Sequence, residues 1–303
     1  MVPAPLCGGM QVLVTGGTGF VGSHLCRELA GRGHDVTALA RDPDAAELPS
    51  AVDAVMGDVT AYDSIAGTVE GQDAVVNLVA LSPLYQPSGG DRMHDAVHRA
   101  GTENVVRAAE AGGVDRLVQM SALGADPDGP TAYLRAKGEA ERVVAESDLD
   151  AVVMRPSVVF GDGGEFLSFT RRVTPPVLAP LPGGGERSRF QPIWVGDLTG
   201  LLAAALTGDE HVGETYEVGG PEAFTLAEIA RLVRGDVRIL SVPMSLTKVA
   251  FRVGSVVPGF PFGPDQFEGL RFDNTPAEND VDAFGVDEDE LRTLRSYLED
   301  VSS

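Results

Sequence analysis

The sequence contains few cysteines and no long apolar run, and each shortage excludes a class of protein. Of its 303 residues only Cys7 and Cys26 are cysteines. Two thiols without metal-type spacing exclude a disulfide framework and indicate a reducing compartment, so we expect the cytoplasm and no metal site. The longest apolar stretch of the second half, 198–206, is interrupted by Thr199 and Gly200 and is too short to span a bilayer.

The first nine residues contain two prolines and no basic cluster, unlike a signal peptide or a transit peptide. Met10 directly precedes the first predicted strand and is a candidate for the natural start. We therefore expect no membrane insertion.

Positive charge is also scarce. The 45 acidic residues outnumber the 23 basic ones and give a net charge of -22, and only Lys137 and Lys248 are lysines. Such a surface repels nucleic-acid phosphates and anionic lipids, so neither is expected as a partner. Lysine depletion with abundant aspartate favours a halophilic protein whose salt-loaded cytoplasm screens self-repulsion. An ordinary acidic protein is the alternative.

A glycine turn between a predicted strand and a predicted helix is the most informative segment. Three glycines stand at G-x-x-G-x-x-G spacing directly after the apolar run 11–15. The absence of side chains lets an anion approach the backbone, and the helix N-terminus attracts it. We predict a pyrophosphate site made of Gly16, Thr18, Gly19, Phe20, Val21 and Gly22.

Short apolar runs alternate with helical patterns in the first half of the chain. Strands are predicted at 11–15, 35–40, 52–56, 74–78, 116–120 and 151–155. Helices are predicted at 22–30, 62–69, 98–111 and 131–145. This alternation predicts an α/β protein with a doubly wound parallel sheet, the Rossmann fold.

After residue 160 the pattern loosens into stretches rich in glycine and proline at 161–164, 174–176, 180–185 and 258–264. Helices at 195–206, 225–233 and 287–301 and a strand at 215–218 are still predicted. Irregular segments after a nucleotide-binding half commonly shape a substrate cleft. We predict an NAD(P)-binding domain over 10–160 and a smaller substrate region over 161–303, partly packed back on the sheet.

The end of the second predicted strand decides between NAD and NADP. An acidic side chain there accepts from a ribose 2'-OH, whereas an arginine pairs with a 2'-phosphate. Arg41 is placed for a charge-assisted phosphate contact, which favours NADP(H). The alternative is NAD(H). In that case Arg41 only lies on the surface, and Asp42 accepts a hydrogen bond from the ribose 2'-hydroxyl.

Asp58 and Val59 follow the third strand, where Asp58 can accept from an adenine amino group and Val59 can cover the ring. A loop aspartate that only caps a helix is the alternative.

Two further strand ends are predicted to line the cofactor. Leu78, Val79 and Ala80 end the fourth strand, at the crevice where such sheets bind ligands. Pro156 and Val158 follow the sixth strand, where Val158 can pack near a nicotinamide. A plain strand exit explains Pro156 and Val158 equally well.

Tyr133 and Lys137 stand four residues apart at the start of a predicted helix, so their side chains share one face. We predict that Lys137 lowers the pKa of Tyr133, because a nearby positive charge favours phenolate. Such a tyrosine beside a nicotinamide can move the proton that accompanies hydride transfer. An exposed surface pair is the alternative. Ser121 ends the fifth strand, where its hydroxyl can polarise a substrate carbonyl or only satisfy local backbone groups.

Four features of the chain together resemble the short-chain dehydrogenase/reductase superfamily. They are the glycine turn 15–22, Asp58, the Tyr133/Lys137 pair and the segment 155–157 at the end of the sixth predicted strand. The chain is most similar to its atypical, extended branch, which is epimerase/dehydratase-like and related to the NADPH-binding accessory subunit of respiratory complex I. Segments 190–198, 216–221 and 284–298 also fit that branch. The resemblance implies that Tyr133 relays the proton and that Lys137 holds the nicotinamide ribose.

One position departs from the extended branch. Its members commonly carry paired Ser/Thr residues after the fifth strand, and the second of the pair often supplies the catalytic hydroxyl. Here that position is Ala122, which leaves Ser121 or Thr131 as the substitute.

Three functions fit the sequence. The first is an NADP(H)-dependent oxidoreductase that acts on a small carbonyl or quinone-like substrate, as a monomer or a homodimer. The second is a non-catalytic NADPH-binding accessory or redox-sensing protein associated with a membrane redox complex. The third is a nucleotide-sugar epimerase or dehydratase, which needs basic groups in the second half; the candidates are Arg171, Arg172, Arg187 and Arg189.

Overall fold

The computed structural model describes residues 9–255 and 262–302. Cys7 and part of the predicted 258–264 stretch lie outside the described residues. The strands are β1 (Gln11–Thr15), β2 (Asp35–Ala40), β3 (Val52–Met56), β4 (Ala74–Asn77), β5 (Arg116–Met120), β6 (Asp150–Pro156), β7 (Val159–Phe160), β8 (Leu178–Pro182), β9 (Arg189–Phe190), β10 (Ile193–Trp194), β11 (Thr215–Val218), β12 (Phe224–Thr225) and β13 (Arg238–Val242).

The helices surround a central sheet and connect its strands. They are α1 (Phe20–Gly31), α2 (Tyr62–Ile65), α3 (Arg92–His94), α4 (Ala100–Gly112), α5 (Ala132–Ala145), α6 (Glu165–Val173), α7 (Val195–Thr207), α8 (Leu226–Arg234), α9 (Met244–Gly254), α10 (Pro264–Gly269) and α11 (Leu294–Ser302). Within the two described ranges, no helix combines the length and the apolar character that crossing a membrane requires.

Seven parallel strands form the central sheet in the order β3-β2-β1-β4-β5-β6-β11. The predicted Rossmann fold is therefore confirmed. The chain leaves β1 for β2 on one side and returns to β4 on the other, so a crevice opens beyond the carboxyl ends of β1 and β4. Ligands bind at such a reversal of strand order.

Alternate residues of each strand face opposite layers of helices, because successive side chains of a strand point to opposite faces. Val12 and Val14 of β1 pack with the α1 and α7 side of the core, whereas Leu13 packs with the α2 and α4 side. Both faces are therefore buried, as a parallel sheet requires. The two cores hold the strand ends, and with them the crevice, in a fixed arrangement.

The chain beyond residue 160 contributes to this sheet. Helix α7 packs against α1, and β11 pairs with β6 at the sheet edge, with Thr215 opposite Val153. Part of the second half therefore packs on the sheet. The domain boundary near residue 160 stays a prediction.

The second half also contains elements that the sequence analysis missed. Three short strand pairs form outside the main sheet, namely β7 with β10, β8 with β13 and β9 with β12. The segment that contains β8 was read as irregular because of Pro180 and Pro182. Its pairing with β13 shows that a strand at a sheet edge accommodates prolines.

Two helices have different bounds in the structure from those that the sequence predicts. The 98–111 helix begins as a π-helical turn, Asp95–Arg99, that runs into α4. The 287–301 helix forms only from Leu294, after a short 3-10 turn at Glu288–Glu290. The backbone N–H of Arg292 donates to the Asp197 carboxylate of α7 at 2.8 Å, which ties the preceding segment to the fold instead of to a helix.

Candidate cofactor and substrate site

The glycine turn between β1 and α1 has a conformation that only glycine adopts easily. Gly16 has a φ of +74°, and its N–H donates to the carbonyl of Leu39 at 2.8 Å. A Cβ on Gly22 would lie 2.1 Å from the Gly16 oxygen. The turn therefore packs directly against the start of α1, with no room for a side chain between them.

The N-terminus of α1 is open to an anion. Gly19 is the N-cap residue, no side chain caps the helix, and its first turn holds no acidic residue. The uncapped N–H groups and the positive end of the helix dipole are the features that bind phosphate. Thr18 lies beside this turn and donates from Oγ1 to the Asp42 carbonyl at 3.3 Å. The ring of Phe20 packs against the segment 161–164 of the second half.

Arg41 and Asp42 follow β2 at the edge of the same crevice. The side chain of Asp42 accepts from the backbone N–H of Asp44 at 3.2 Å and caps a short 3-10 turn. Arg41 is exposed and makes no hydrogen bond or ion pair with another described residue. The arginine is therefore the side chain that remains available to a phosphate.

The predicted adenine contacts lie in a well-ordered loop after β3. Asp58 Oδ1 accepts from both the N–H and the hydroxyl of Thr60, at 2.9 and 2.8 Å. These hydrogen bonds stabilise a local turn and do not cap a helix, because the N-cap residue of α2 is Ala61, which has no side-chain cap. Val59 is buried in the core that includes Val105, so it anchors the loop to the protein interior.

The remaining predicted cofactor residues lie at the ends of β4 and β6. Leu78 is buried, Val79 is half-buried and Ala80 is exposed, so the chain rises from the core to the surface across these three positions. Pro156 is buried and Val158 is half-buried, and both line a large cavity.

A buried chain of hydrogen bonds connects the crevice to Lys137. Asn77 accepts from the Thr15 hydroxyl at 2.6 Å, and its amide donates to Gln119 Oε1 at 2.8 Å. Gln119 in turn donates to the carbonyl of Met120 at 3.1 Å. The same carbonyl accepts from Lys137 Nζ at 2.9 Å. The network holds the ends of β1, β4 and β5 together and orients the lysine.

Lys137 is 1 % exposed, and burial lowers its pKa to about 8, against an opposing contribution from Glu141. Only one hydrogen bond of its ammonium group is formed within the described chain. Since an ammonium group carries three donors, the others are available to a hydroxyl of a bound ribose.

Tyr133 is enclosed by two histidines that the sequence analysis did not single out. The rings of His94 and His98 contact the Tyr133 ring edge-on, with centroids 5.7 and 5.2 Å away. His98 Nε2 accepts from the backbone N–H of Leu81 at 3.3 Å, which places the proton of a neutral ring on Nδ1. Burial lowers the pKa of both histidines, that of His98 further, so both are neutral at pH 7.

The expected effect of Lys137 on Tyr133 is not found in this structure. Burial raises the pKa of Tyr133, and no contribution from Lys137 opposes it. The expectation failed because proximity on one helix face does not offset the removal of a phenolate from water. The phenol is therefore protonated at neutral pH.

The two candidate hydroxyl groups, those of Ser121 and Thr131, have different surroundings. The Ser121 hydroxyl is buried without a hydrogen-bond partner among the described residues, while the neighbouring Ala122 lines the cavity. Thr131 lines the cavity directly, and its Oγ1 accepts from the backbone N–H of Leu134 at 3.1 Å as the N-cap of α5. Thr131 is thus the hydroxyl in contact with the cavity.

The cavity measures about 700 Å³ and lies between the ends of β5 and β6 and the helices of the second half. Its wall is predominantly apolar, and Tyr133, Arg172 and Asp265 are its ionisable groups besides Tyr85. Aromatic rings supply much of the wall, from Tyr85, Phe166, Phe169, Phe190, Phe251, Phe262 and Phe272. A volume and lining of this kind match a site for an apolar small molecule.

Sequence reasoning missed the two histidines, the buried network and the cavity wall. The i, i+4 spacing of His94 and His98 signalled that two of the five histidines share a helix face. The contact with Tyr133 depends on how the π-helical turn packs against α5, which the sequence does not reveal.

The residues of the crevice fit a dinucleotide. The turn leaves no room for a Cβ at Gly22, and the N-terminus of α1 is uncapped. The ammonium group of Lys137 has hydrogen-bond donors that no described residue uses. These features match the pyrophosphate and ribose groups of NAD(P) in both shape and charge.

Comparison with known proteins identifies the family of the chain. A family described as NAD(P)H-binding matches residues 16–171. The chain is 30 % identical over 293 residues to subunit 9 of the NADH dehydrogenase [ubiquinone] 1 alpha subcomplex of Arabidopsis thaliana, across 89 % of this chain and 72 % of the relative. It is also 30 % identical to the 2-alkyl-3-oxoalkanoate reductase of Stenotrophomonas maltophilia, across 82 % of both chains.

Among solved structures, the NAD complex of the UDP-glucose 4-epimerase of Thermus thermophilus superposes with a TM-score of 0.70 at 20 % identity, covering 96 % of this chain and 99 % of that one. This likeness concerns the fold. The chain belongs to the NAD(P)H-binding family, and the resemblance to the extended short-chain dehydrogenase/reductase branch is confirmed.

Proposed function

We propose that the protein is an NADP(H)-dependent oxidoreductase that reduces an apolar carbonyl or quinone-like compound through Tyr133 and Lys137. One observation carries the proposal: Tyr133 belongs to the wall of the apolar cavity and to the same helix turn as the lysine beside the crevice. A phenol in that position can reach a substrate in the cavity while a nicotinamide lies over the strand ends.

The cavity wall supports an apolar substrate. Of the four arginines considered for a nucleotide sugar, only Arg172 lines it. Arg189 is held by the carbonyl of Ala223 at 3.2 Å, outside the cavity wall. A diphosphate needs several cationic or N–H donors, so the wall does not favour an epimerase or dehydratase. The relative named as a 2-alkyl-3-oxoalkanoate reductase is compatible with an apolar carbonyl compound.

Bound NADPH supplies the hydride for such a reduction. The residues of this chain provide the proton and the positioning. Tyr133, kept protonated by burial, donates its phenolic proton to the carbonyl oxygen as the adjacent carbon is reduced. Thr131 donates a second hydrogen bond to that oxygen from the cavity wall, and Ser121 supports the strand end behind it. Lys137 holds the ribose through the ammonium donors that its hydrogen bond to Met120 leaves available.

The preference for NADP(H) over NAD(H) rests on the unpaired Arg41 beside an occupied Asp42. A guanidinium group free of internal partners forms charge-assisted hydrogen bonds with a 2'-phosphate. The predicted contacts of Thr18, Asp58, Val59, Leu78, Val79, Ala80, Pro156 and Val158 belong to the same proposal.

An accessory protein that holds NADPH without turnover is the second candidate. Two observations favour it: Ala122 replaces the usual hydroxyl residue, and no cationic group offsets the effect of burial on the pKa of Tyr133. Several relatives are named as subunits of mitochondrial NADH dehydrogenase. In that case the protein associates with a membrane redox complex through surfaces outside the cavity.

The two candidate functions are distinguished by whether the protein oxidises NADPH in the presence of a substrate. NADPH oxidation is followed with aliphatic ketones of increasing chain length and with a short-chain benzoquinone, beside glyceraldehyde as a polar control, at several potassium chloride concentrations. The oxidoreductase turns over the apolar compounds preferentially. Tyr133→Phe lowers kcat by a factor of about 100 or more while the Kd for NADPH stays unchanged. Tyr62→Phe, on α2, is the matched control.

Equal rates for the wild type and Tyr133→Phe contradict the proposed role of the tyrosine. Tight NADPH binding with no turnover of any compound supports the accessory protein instead.

A further inference from the structure

Helix α9 has two apolar faces, and the described residues of the protein cover only one of them. Thr247 and Phe251 point inward and line the cavity. Leu246, Val249 and Val253 recur at the spacing of a helix face and are 61, 59 and 60 % exposed. A protein surface that contacts only water rarely exposes three large aliphatic side chains in one stripe.

Exposed aliphatic side chains share one face of α9. Eight large hydrophobic side chains are exposed among the described residues, and three of them form the α9 stripe. The others are Met56, Val177, Leu178, Leu240 and Val301. Three large aliphatic side chains on one helix face indicate a contact surface and not a random scatter.

The charge of α9 is opposite to that of the whole chain. The net charge is -22, yet α9 contains no acidic residue and carries Lys248 and Arg252, which lie four residues apart along one flank of the stripe. Both basic side chains are exposed, and neither forms an ion pair with any other residue that the structure describes. An apolar stripe flanked by unpaired basic groups matches a surface with negative headgroups above an apolar layer.

The cavity opens beside this stripe. Leu246 and Ala250 belong to the cavity wall and are also exposed to solvent. The apolar surface of α9 is thus continuous with the wall of the substrate cavity.

From the charge complementarity and this continuity, we propose that the exposed face of α9 docks on an anionic phospholipid surface, with Leu246, Val249 and Val253 in the headgroup boundary and Lys248 and Arg252 on the phosphates. The assignment rests on α9 alone and does not depend on the proposed reductase activity. It revises the expectation that the acidic surface excludes lipid contact, because a local basic segment meets the membrane while the acidic faces point away.

A second copy of the chain fits this face less well. A two-fold symmetric contact through the stripe places the basic flanks of both helices in one interface, with no acidic residue in α9 to balance them. Like charges in an interface oppose association.

The proposal is tested by flotation of the full chain with vesicles of phosphatidylcholine containing about one third phosphatidylglycerol, and with vesicles of pure phosphatidylcholine. The buffer contains the lowest potassium chloride concentration at which circular dichroism shows a folded protein. We expect binding to the anionic vesicles to exceed binding to the neutral ones and to weaken as salt rises.

Val249→Asp/Val253→Asp changes only side chains outside the cavity wall and is expected to lower the partition coefficient about tenfold or more. Lys248→Glu/Arg252→Glu is expected to lower it to a similar extent on anionic vesicles only. Met56→Asp/Val301→Asp, which removes two exposed aliphatic side chains elsewhere, is the matched control and retains binding. Thermal unfolding verifies that each variant is folded.

Absence of vesicle binding by the folded wild type overturns the proposal, as does binding that all variants retain. Concentration-dependent dimerisation that the Val249→Asp/Val253→Asp variant abolishes, without any vesicle binding, assigns the face to a second copy instead.

Discussion

The nucleotide half and the second half of the molecule are built by different means. In the nucleotide half, backbone hydrogen bonds and a buried polar network hold the strand ends, and the turn at Gly16 to Gly22 has no space for a methyl group. In the second half, strand pairs of two to five residues and short helices enclose an apolar cavity. The first half thus presents uncapped backbone N–H groups in a fixed arrangement, whereas the second half presents a mainly apolar surface.

This difference shows how one protein combines a shared cofactor with an individual substrate. Hydrogen bonds to phosphate demand fixed atom positions, so a small change in the crevice is expected to cost much binding free energy. Apolar contacts are non-directional and tolerate exchange of side chains in the wall. Four substitutions test this contrast, two in the crevice, one at the buried Lys137 and one in the cavity.

The largest effect is expected for Gly22→Ala. Its Cβ would lie 2.1 Å from the Gly16 oxygen, so the turn must open and displace the N–H groups that we propose to bind the pyrophosphate. We expect the Kd for NADPH to rise about 100-fold or more in isothermal titration calorimetry. Gly31→Ala, at the other end of α1, meets no atom within 4 Å and serves as the control. Unchanged affinity in Gly22→Ala contradicts a rigid phosphate turn.

Arg41→Ala is expected to weaken NADPH binding by a factor of about 10 to 100, the loss of one or two hydrogen bonds between charged groups. NADH binding stays the same, because NADH lacks the 2'-phosphate. Arg32→Ala, which removes the arginine before β2 instead of the one after it, leaves both affinities unchanged. Equal losses for the two nucleotides would show that Arg41 does not read the phosphate.

Lys137→Met is expected to weaken NADPH binding and yet to raise the free energy of unfolding at pH 7 by about 2 kcal/mol. Burial lowers the pKa of Lys137 from 10.5 to about 8, so the folded state disfavours the charged form. Between these pH values the unfolded chain binds the proton that the folded chain releases, and the stability contributed by this group increases with pH.

The measurement is urea unfolding of the wild type and Lys137→Met between pH 7 and 10.5. The difference in the free energy of unfolding between the two proteins should become smaller as the pH rises. Lys248→Met removes the only other lysine, which is exposed, and serves as the control. A Lys137→Met variant less stable than the wild type at every pH would show that the hydrogen bond to Met120 outweighs the buried charge.

The smallest effect is expected in the cavity wall. Phe169 contacts the rings of Tyr85 and Phe262, with centroids 5.4 and 5.8 Å away. Phe169→Ala should lower kcat/KM about tenfold for the apolar compound that reacts best, through lost apolar contact, while the Kd for NADPH does not change. Phe169→Leu should restore most of the activity. A comparable change in NADPH affinity would indicate that the two halves are coupled.

Prediction from the sequence succeeded where a local pattern coincides with a structural rule. The main-sheet strands and the first helix followed from apolar runs and the glycine spacing, because a buried parallel strand requires a continuous apolar run. The prediction from the sequence was wrong at β8, because the prolines of this segment are locally typical of a loop. It was also wrong for the pKa of Tyr133, because that expectation depended on helix spacing alone. Strand pairing and burial involve partners distant in the chain, which a local pattern does not contain.

The sequence by itself determined the doubly wound fold, the glycine turn before α1 and the pairing of Tyr133 with Lys137 on one helix face, because each depends on residues close together in the chain. Only the tertiary structure decided that His94 and His98 enclose the tyrosine, that Thr131 and not Ser121 faces the cavity, and that α9 leaves an apolar face uncovered. These features depend on how distant segments pack, and packing is set by the shape and volume of all the side chains together.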